Sequence, residues 1–317
     1  MLLEVRDLKK YFVLEGNGGR KTTARAVDGI SFSLAKGETL GLVGESGCGK
    51  STAGRAVIRL VEPTAGEVRY KGKDILSLGR AEMRALRKEI QIVFQDPYAS
   101  LNPRKKVGAI LEEPFAIHGI GTQSERRERV ARLLRRVGLP PDHAGRYPHE
   151  FSGGQRQRIG IARAIALEPE FIVADEPVSA LDVSIRAQAL NLLQELQESM
   201  GLSFLFISHD MGVVEHFCDR VAVMYLGKFV EVADRKELYV SPRHPYTQAL
   251  LAAIPSAGAG INKERTPVRG EIPSASFPPA GCAFHTRCPI KEKTCEQAVP
   301  ELKETARGHF VACHLRA

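Results

Sequence analysis

Three short groups of residues have types and spacings that can do chemistry. The first is GESGCGKST, Gly44, Glu45, Ser46, Gly47, Cys48, Gly49, Lys50, Ser51 and Thr52, which contains Gly44-x4-Gly49-Lys50-Ser51. Small residues let successive backbone N–H groups curl around phosphate oxygens. A helix beginning at the end of such a loop adds its free N–H groups and its positive dipole end. In this phosphate-loop pattern Lys50 reaches the β- and γ-phosphates of a nucleoside triphosphate and the Ser51 hydroxyl coordinates Mg²⁺. The second group is Ser152, Gly153 and Gly154. A turn of this kind at a helix start is an anion site by the same physics, or a helix cap and nothing more. The third is Asp175-Glu176, which ends the apolar run FIVADEP. A strand-end aspartate downstream of a phosphate loop is placed to hold Mg²⁺, and the glutamate beside it could take a proton from an attacking water.

The elements that must position these groups are legible in the apolar pattern. Leu40, Leu42 and Val43 predict a strand before the loop, and Thr39 to Arg55 reads as strand, loop and helix start. Residues 2–14 and 24–40 read as strands, the second carrying Val27, Ile30, Phe32 and Leu34 before a Lys36-Gly37 turn, with a polar, Gly-rich loop at Gly16 to Arg25 between them. GEVRYKGKDI reads as strand, turn and strand, and EIQIVFQDP as a short strand ending in Gln95. Residues 105–137 read as helical, with Ser124 as N-cap, Gly138 as stop, and Val130, Leu133, Leu134 and Val137 on one face. A helix follows Ser152, another follows the VSALD stretch, and SFLFISHD is a strand ending at His209. VAVMYLGKFVEVAD is a hairpin turning at Leu226-Gly227-Lys228. The alternation of strands and helices predicts an α/β fold with a mostly parallel sheet and reactive residues at strand ends. Tyr11 and Phe12 would face opposite sides of their strand, one into the core and the other free to stack on a flat ligand.

The 317 residues are enough for one large or two modest domains with a substantial core. No apolar run is long enough to cross a membrane as a helix. MLLEVRDLKK lacks the apolar core of a signal peptide, so a cytoplasmic location is expected. The net charge of +8 is compatible with nucleic acid, an anionic membrane surface or a solvated basic face. From about Ser256 the chain gains Pro and Gly, and Cys282, Cys288, Cys295 and Cys313 appear with spacing C-x5-C-x6-C-x17-C. A reducing compartment argues against disulfides and leans toward metal. The spacing is neither a zinc ribbon nor a ferredoxin pattern, so zinc, an iron–sulfur cluster and unligated thiols all stay open. His285, His309 and His314 are spare donors or surface side chains.

Taken in order, GESGCGKST, Gln95, FSGGQ, FIVADEP, SALD and SHD resemble the nucleotide-binding subunit of an ATP-binding-cassette transporter. HPYTQALLAAIP and the cysteine-rich tail resemble the oligopeptide/dipeptide importer branch, in particular its second, F-type ATPase subunit, over essentially the whole chain. The resemblance implies a P-loop NTPase (RecA-like) parallel-sheet core, an N-terminal antiparallel β subdomain, an inserted α-helical subdomain at about 97–167 and a small cysteine-containing appendage. The cassette would be residues 1–255 and the extension 256–317. It implies ATP and Mg²⁺ as ligands, with Gln95 near Mg²⁺ and the attacking water, Asp175 supporting Mg²⁺, Glu176 as general base and His209 sensing the γ-phosphate. Ser152, Gly153, Gly154 and Gln155 would be the signature motif, preceded by Phe151 where the family usually has Leu. Asp182 belongs to the D-loop, and Phe12 would stack on adenine. The signature motif would act on ATP held by a partner across a dimer interface.

The same resemblance implies a paralogous ATPase subunit as that partner, two transmembrane permease subunits, an external substrate-binding protein, no nucleic acid, and a peripheral place on the cytoplasmic face of the cell (inner) membrane. It tips the four cysteines toward a [4Fe–4S] cluster, with Zn²⁺ behind it. The implied function is ATP hydrolysis that energises import of dipeptides or oligopeptides. The competing reading is a soluble cassette ATPase acting on nucleic acid or ribosomes, but such chains usually carry two cassettes or long coiled-coil insertions.

Overall fold

The computed structural model describes residues 1–15, 21–254 and 270–316. The expected boundary at 255/256 lies outside them, as do residues 16–20 of the expected loop. The chain forms two compact units, one of Met1–Ser77 with Phe206–Ala317 and the other of Leu78–Leu205.

In the first unit, β1 (Leu3–Glu15), β2 (Lys21–Leu34), β4 (Ala65–Tyr70) and β5 (Lys73–Asp74) form an antiparallel sheet in the order β2-β1-β4-β5. β1 is bent by a bulge at Asp7, whose φ of 45° takes it out of register with both neighbours. The stretch read as strand over 24–40 is divided at the expected Lys36-Gly37 turn. β2 starts earlier, at Lys21, and stops at Leu34; a turn at Lys36-Gly37 separates it from β3 (Thr39–Val43). All five residues of β3 are buried, as expected of a strand covered on both faces. β3 pairs in parallel with β9 (Arg220–Tyr225), Leu40 opposite Arg220 and Val43 opposite Val223. β9 turns back antiparallel into β10 (Lys228–Asp234) at Leu226-Gly227, both with positive φ, as the sequence predicts for this hairpin. The C-terminal segment adds a second hairpin, β11 (Lys303–Ala306) and β12 (His309–Val311), with β12 paired to β10 through Glu231–Val311 and Val232–Phe310.

In the second unit, β6 (Ile90–Val93) runs parallel to β7 (Phe171–Asp175), and β7 is buried throughout. The expected helical stretch is two helices, Val107–Ile117 and Gln123–Arg136. The N-cap of the second is Thr122 and not Ser124. Thr122 accepts from the Glu125 N–H while the Glu125 carboxylate accepts from the Thr122 N–H, a reciprocal pair that Ser124 has no acid three residues on to complete. Val130, Leu133 and Leu134 are its buried face. β8 (Ser203–Ser208), also fully buried, leads the chain out of this unit.

Candidate active site

β3 delivers the chain at Val43 into the loop expected to hold phosphate, and the helix Lys50–Val57 leaves it. Two glycines in the loop are required by space as well as by torsion. Gly44 has a φ of 152°, and a Cβ there would lie 2.2 Å from the Met224 carbonyl oxygen. Gly49 has a φ of 110°, and a Cβ there would lie 1.9 Å from the Ala26 carbonyl oxygen. Lys50 is 4% exposed, and its ammonium donates to the Gly44 carbonyl at 2.7 Å and the Glu45 carbonyl at 3.0 Å. Ser46 and Gly47 are exposed, while Ser51 and Thr52 are half-buried in the first helical turn. Burial pushes the Cys48 thiol up in pKa, with Lys50 opposing it. Glu45 faces elsewhere: its carboxylate is bound by Arg287 at 2.6 and 2.9 Å.

Two further expected residues belong to the same unit. His209 is exposed, one residue past the end of β8 and just before Asp210, which caps the helix Met211–Phe217 by accepting from Gly212 and Val213. Phe12 is 38% exposed on β1, with the Lys10 ammonium 5.0 Å from its ring centre. Tyr11, on the opposite strand face, donates its hydroxyl to Asp28, and burial together with that carboxylate raises its pKa to about 12.

The second unit holds the remaining residues. Asp175 is fully buried at the end of β7, and Glu176 is 9% exposed. Glu176 has a φ of 47°, a left-handed conformation that a glutamate adopts only when its surroundings impose it. The Ser179 N–H and hydroxyl close on its carbonyl at 3.2 and 3.1 Å, and the Gln95 amide donates to Glu176 Oε2 at 2.9 Å. Ser152 caps the helix Gly153–Ile165 in a reciprocal pair with Gln155. Phe151, at the unusual position, is buried at 3% exposure and packs edge-on to His143 at 5.2 Å. Asp182 is exposed and precedes the helix Val183–Met200. The structure brings that segment to the Ser152 turn: a Cβ on Gly154 would lie 2.3 Å from Ile185 Cγ2, so the glycine lets the two meet.

The cysteine expectation is corrected. Among the described residues no set of three or more His, Cys, Asp or Glu side chains is arranged to hold a metal ion. Cys282, Cys288, Cys295 and Cys313 are free cysteines. Burial raises the Cys282 thiol to about 11 and pushes Cys288 up as well. The structure therefore supports neither a [4Fe–4S] cluster nor its zinc alternative. The neighbouring histidines are engaged too. His285 Nδ1 meets the Cys282 carbonyl at 2.9 Å, and His314 Nε2 meets that of Ala298 at 2.9 Å. His309 is no surface side chain: it is 1% exposed, with Nε2 2.7 Å from the buried Glu231 carboxylate. Glu231 and Arg287 carry no local sequence signal, and Tyr246 stands in HPYTQALLAAIP, which points to the transporter branch and not to the loop at Glu45; Arg287 stands 242 residues from the glutamate it binds.

The comparisons agree with the motif order. The family described as ABC transporter matches residues 27–179, and the oligopeptide/dipeptide transporter C-terminal region matches residues 230–295. The chain is 60% identical to the oligopeptide transport ATP-binding protein AppF of Bacillus subtilis, over 99% of this chain and 97% of that protein. It is 51% identical to the dipeptide transport ATP-binding protein DppF of Escherichia coli, over 98% of this chain and 93% of that protein. Among solved structures, the dimeric, post-hydrolysis ATP-binding cassette MJ0796 bound to ADP and Pi aligns with a TM-score of 0.66 and 29% identity, over 74% of this chain and 99% of that one. The chain belongs to the ABC transporter family, in its oligopeptide/dipeptide transport branch, and is an ATPase of that kind.

Proposed function

We propose that this chain is the ATP-hydrolysing subunit that energises import of dipeptides or oligopeptides, working by ATP-driven dimerisation with a paralogous ATPase subunit. The loop from Gly44 to Thr52 holds the triphosphate, Lys50 pairs with the β- and γ-phosphates, and Phe12 stacks on adenine. Ser51, Gln95 and Asp175 hold Mg²⁺, which offsets phosphate charge; these oxygen donors suit a hard cation. Glu176 accepts the proton of the attacking water, Gln95 fixes its carboxylate, and His209 senses the γ-phosphate. Ser152 to Gln155 and Asp182 serve the ATP held by the partner's loop. In this reading residues 1–255 are the cassette, with its helical subdomain at about 97–167, and 256–317 are the extension. Two permease subunits and an external binding protein complete the assembly. Among the described residues no helix is long and apolar enough to cross a membrane, which suits a peripheral subunit on the cytoplasmic face.

The observation that carries the reading is Lys50: a nearly buried ammonium held on the carbonyls of its own loop, with a helix starting at the same residue. That arrangement keeps a cation ready for phosphate oxygens. Relatives named for oligopeptide and dipeptide transport favour peptides as cargo. The test is the assembled complex in vesicles with its binding protein. Peptide should stimulate ATP hydrolysis and accumulate in the direction of import. Stimulation by nucleic acid or ribosomes without the membrane subunits, and none by peptide, would favour the soluble-ATPase reading instead.

A further inference from the structure

The second residue of the phosphate loop is gripped by the C-terminal part of the chain through both its backbone and its side chain. The Glu45 N–H donates to the Tyr246 hydroxyl at 2.7 Å. The Glu45 carboxylate accepts a two-pronged pair from Arg287, Nη1 to Oε2 at 2.6 Å and Nη2 to Oε1 at 2.9 Å. Arg287 is itself fixed. Its side chain is 4% exposed, its guanidinium lies 5.8 Å from the Tyr225 ring centre, and its N–H donates to the Phe284 carbonyl at 3.0 Å. Phe284 packs against Tyr225 and Tyr246 at 5.3 and 5.4 Å, so the elements that hold Glu45 share one aromatic cluster. A third tie runs from the Gly227 N–H to the Cys48 carbonyl at 2.9 Å.

A solvent-exposed ion pair contributes little, but a bidentate pair with a nearly buried guanidinium is geometrically fixed. The sign of the charge matters here. ATP is polyanionic, and an unpaired carboxylate on the loop that receives it would oppose binding. We infer that Arg287 is a positioning residue of the nucleotide site, which neutralises and anchors the Glu45 carboxylate so that the C-terminal segment sets the loop's affinity for ATP. The inference rests on the reading of Gly44 to Thr52 as the phosphate loop. It also gives the segment after the cassette a task in the ATPase itself: the turn from Cys282 to Arg287, closed by the His285 N–H on the Cys282 carbonyl, presents the guanidinium.

The test is ATP titration of the full-length chain, with ATPase KM and kcat measured in the assembled complex. Arg287→Met should raise the KM for ATP about tenfold and leave kcat within about twofold. Glu45→Gln leaves a positive charge beside the loop and should lower KM about twofold. The double variant should return near the starting value. Packing alone would move both single variants in the same direction and leave the double variant the worst of the three, which would overturn the inference, as would an unchanged KM in Arg287→Met. Should Arg287→Met fail to fold, the direction of the Glu45→Gln shift decides alone: a raised or unchanged KM overturns the inference. Lys50→Ala in the same titration separates the two readings. Unchanged ATP affinity there overturns the phosphate-loop assignment, whereas lost affinity there with no shift in the Arg287 and Glu45 variants overturns only the role of Arg287.

Discussion

The side-chain amide of Gln95 donates to Oε2 of Glu176 at 2.9 Å, joining the second residue beyond β6 to the first residue beyond β7. The parallel pairing of Val93 with Ala174 sets these strand ends side by side, so the contact follows from sheet register. Glu176 is additionally locked by its left-handed backbone and by Ser179 on its carbonyl. A carboxylate held by Gln95 on a backbone locked by Ser179 has the defined direction that a general base needs. Glu176→Gln keeps the size and the hydrogen-bond acceptor but removes the basic oxygen. Its turnover should fall about 10²- to 10⁴-fold while ATP remains bound. Single-turnover hydrolysis and ATP retention check this, and near-normal turnover would remove Glu176 from the role.

Gln95→Ala releases one oxygen of that carboxylate without changing any charge. The expected effect is a drop in kcat of about tenfold together with a weaker apparent affinity for Mg²⁺ and ATP, because the alanine removes both the donor that orients the carboxylate and, in the proposed reading, an oxygen donor to Mg²⁺. A loss of affinity with kcat unchanged would mean that Gln95 acts only in binding.

Lys50→Ala removes the one ammonium that the loop holds on its own carbonyls at 2.7 and 3.0 Å. ATP affinity should fall at least about tenfold, since a charge-assisted contact to phosphate is among the stronger single interactions. Isothermal titration on the full chain measures it, and a melting curve near that of the unchanged protein shows that the loop itself persists.

The parts of this site that are legible in the sequence are those in which local spacing and chemistry coincide. The glycines of the phosphate loop, the Ser152 cap and the strand-end pair Asp175-Glu176 all reveal themselves within a few residues, because a turn, a helix start or a strand end is a local event. The Gln123–Arg136 helix was readable for its buried face but not for its cap, where Thr122 with Glu125 prevails over Ser124. What stayed hidden depends on long-range packing. Nothing around Arg287 marks it as the partner of Glu45, and nothing in KFVEVAD distinguishes Glu231 from an exposed strand glutamate. The four cysteines mislead for the same reason: their number and compartment suggest a metal, while among the described residues their arrangement, which spacing does not encode, does not form a metal-holding group.

Gly49→Ala tests the loop's geometry with a single methyl. That methyl would sit 1.9 Å from a backbone oxygen at a φ of 110°, so neither a side-chain shift nor a change of rotamer can accommodate it. The backbone must move, at a cost of about 3 kcal/mol or more. The melting temperature should fall and ATP binding should be lost together. Gly47→Ala is the matched control, since a Cβ there meets nothing within 4 Å and only the φ of 81° is strained. Its loss should be about 1 kcal/mol, and equal losses in the two variants would show that strain, not close approach, governs the loop.

His309 closes the C-terminal segment onto β10. Its Nε2 lies 2.7 Å from Glu231, whose two oxygens also accept the Arg243 N–H at 2.7 Å and the His244 N–H at 3.0 Å. Both side chains are at most 1% exposed, so water cannot replace a lost partner without opening the packing. His309→Ala therefore leaves a buried carboxylate one donor short and opens a cavity beside β12. The two backbone donors remain, which places the expected loss at about 2–3 kcal/mol, below that of a wholly unpaired buried charge. Because β12 is tied to β10 at Val311, that loss should act first on the C-terminal segment. Proteolysis within residues 270–316 should accelerate before the rest of the chain is cut, and the KM for ATP should rise in step as Arg287 loses its hold on Glu45. A lowered melting temperature with no change in the cleavage pattern would mean that the segment and the cassette unfold as one, so that the Glu231–His309 pair stabilises the whole unit and not the docking of its last strands.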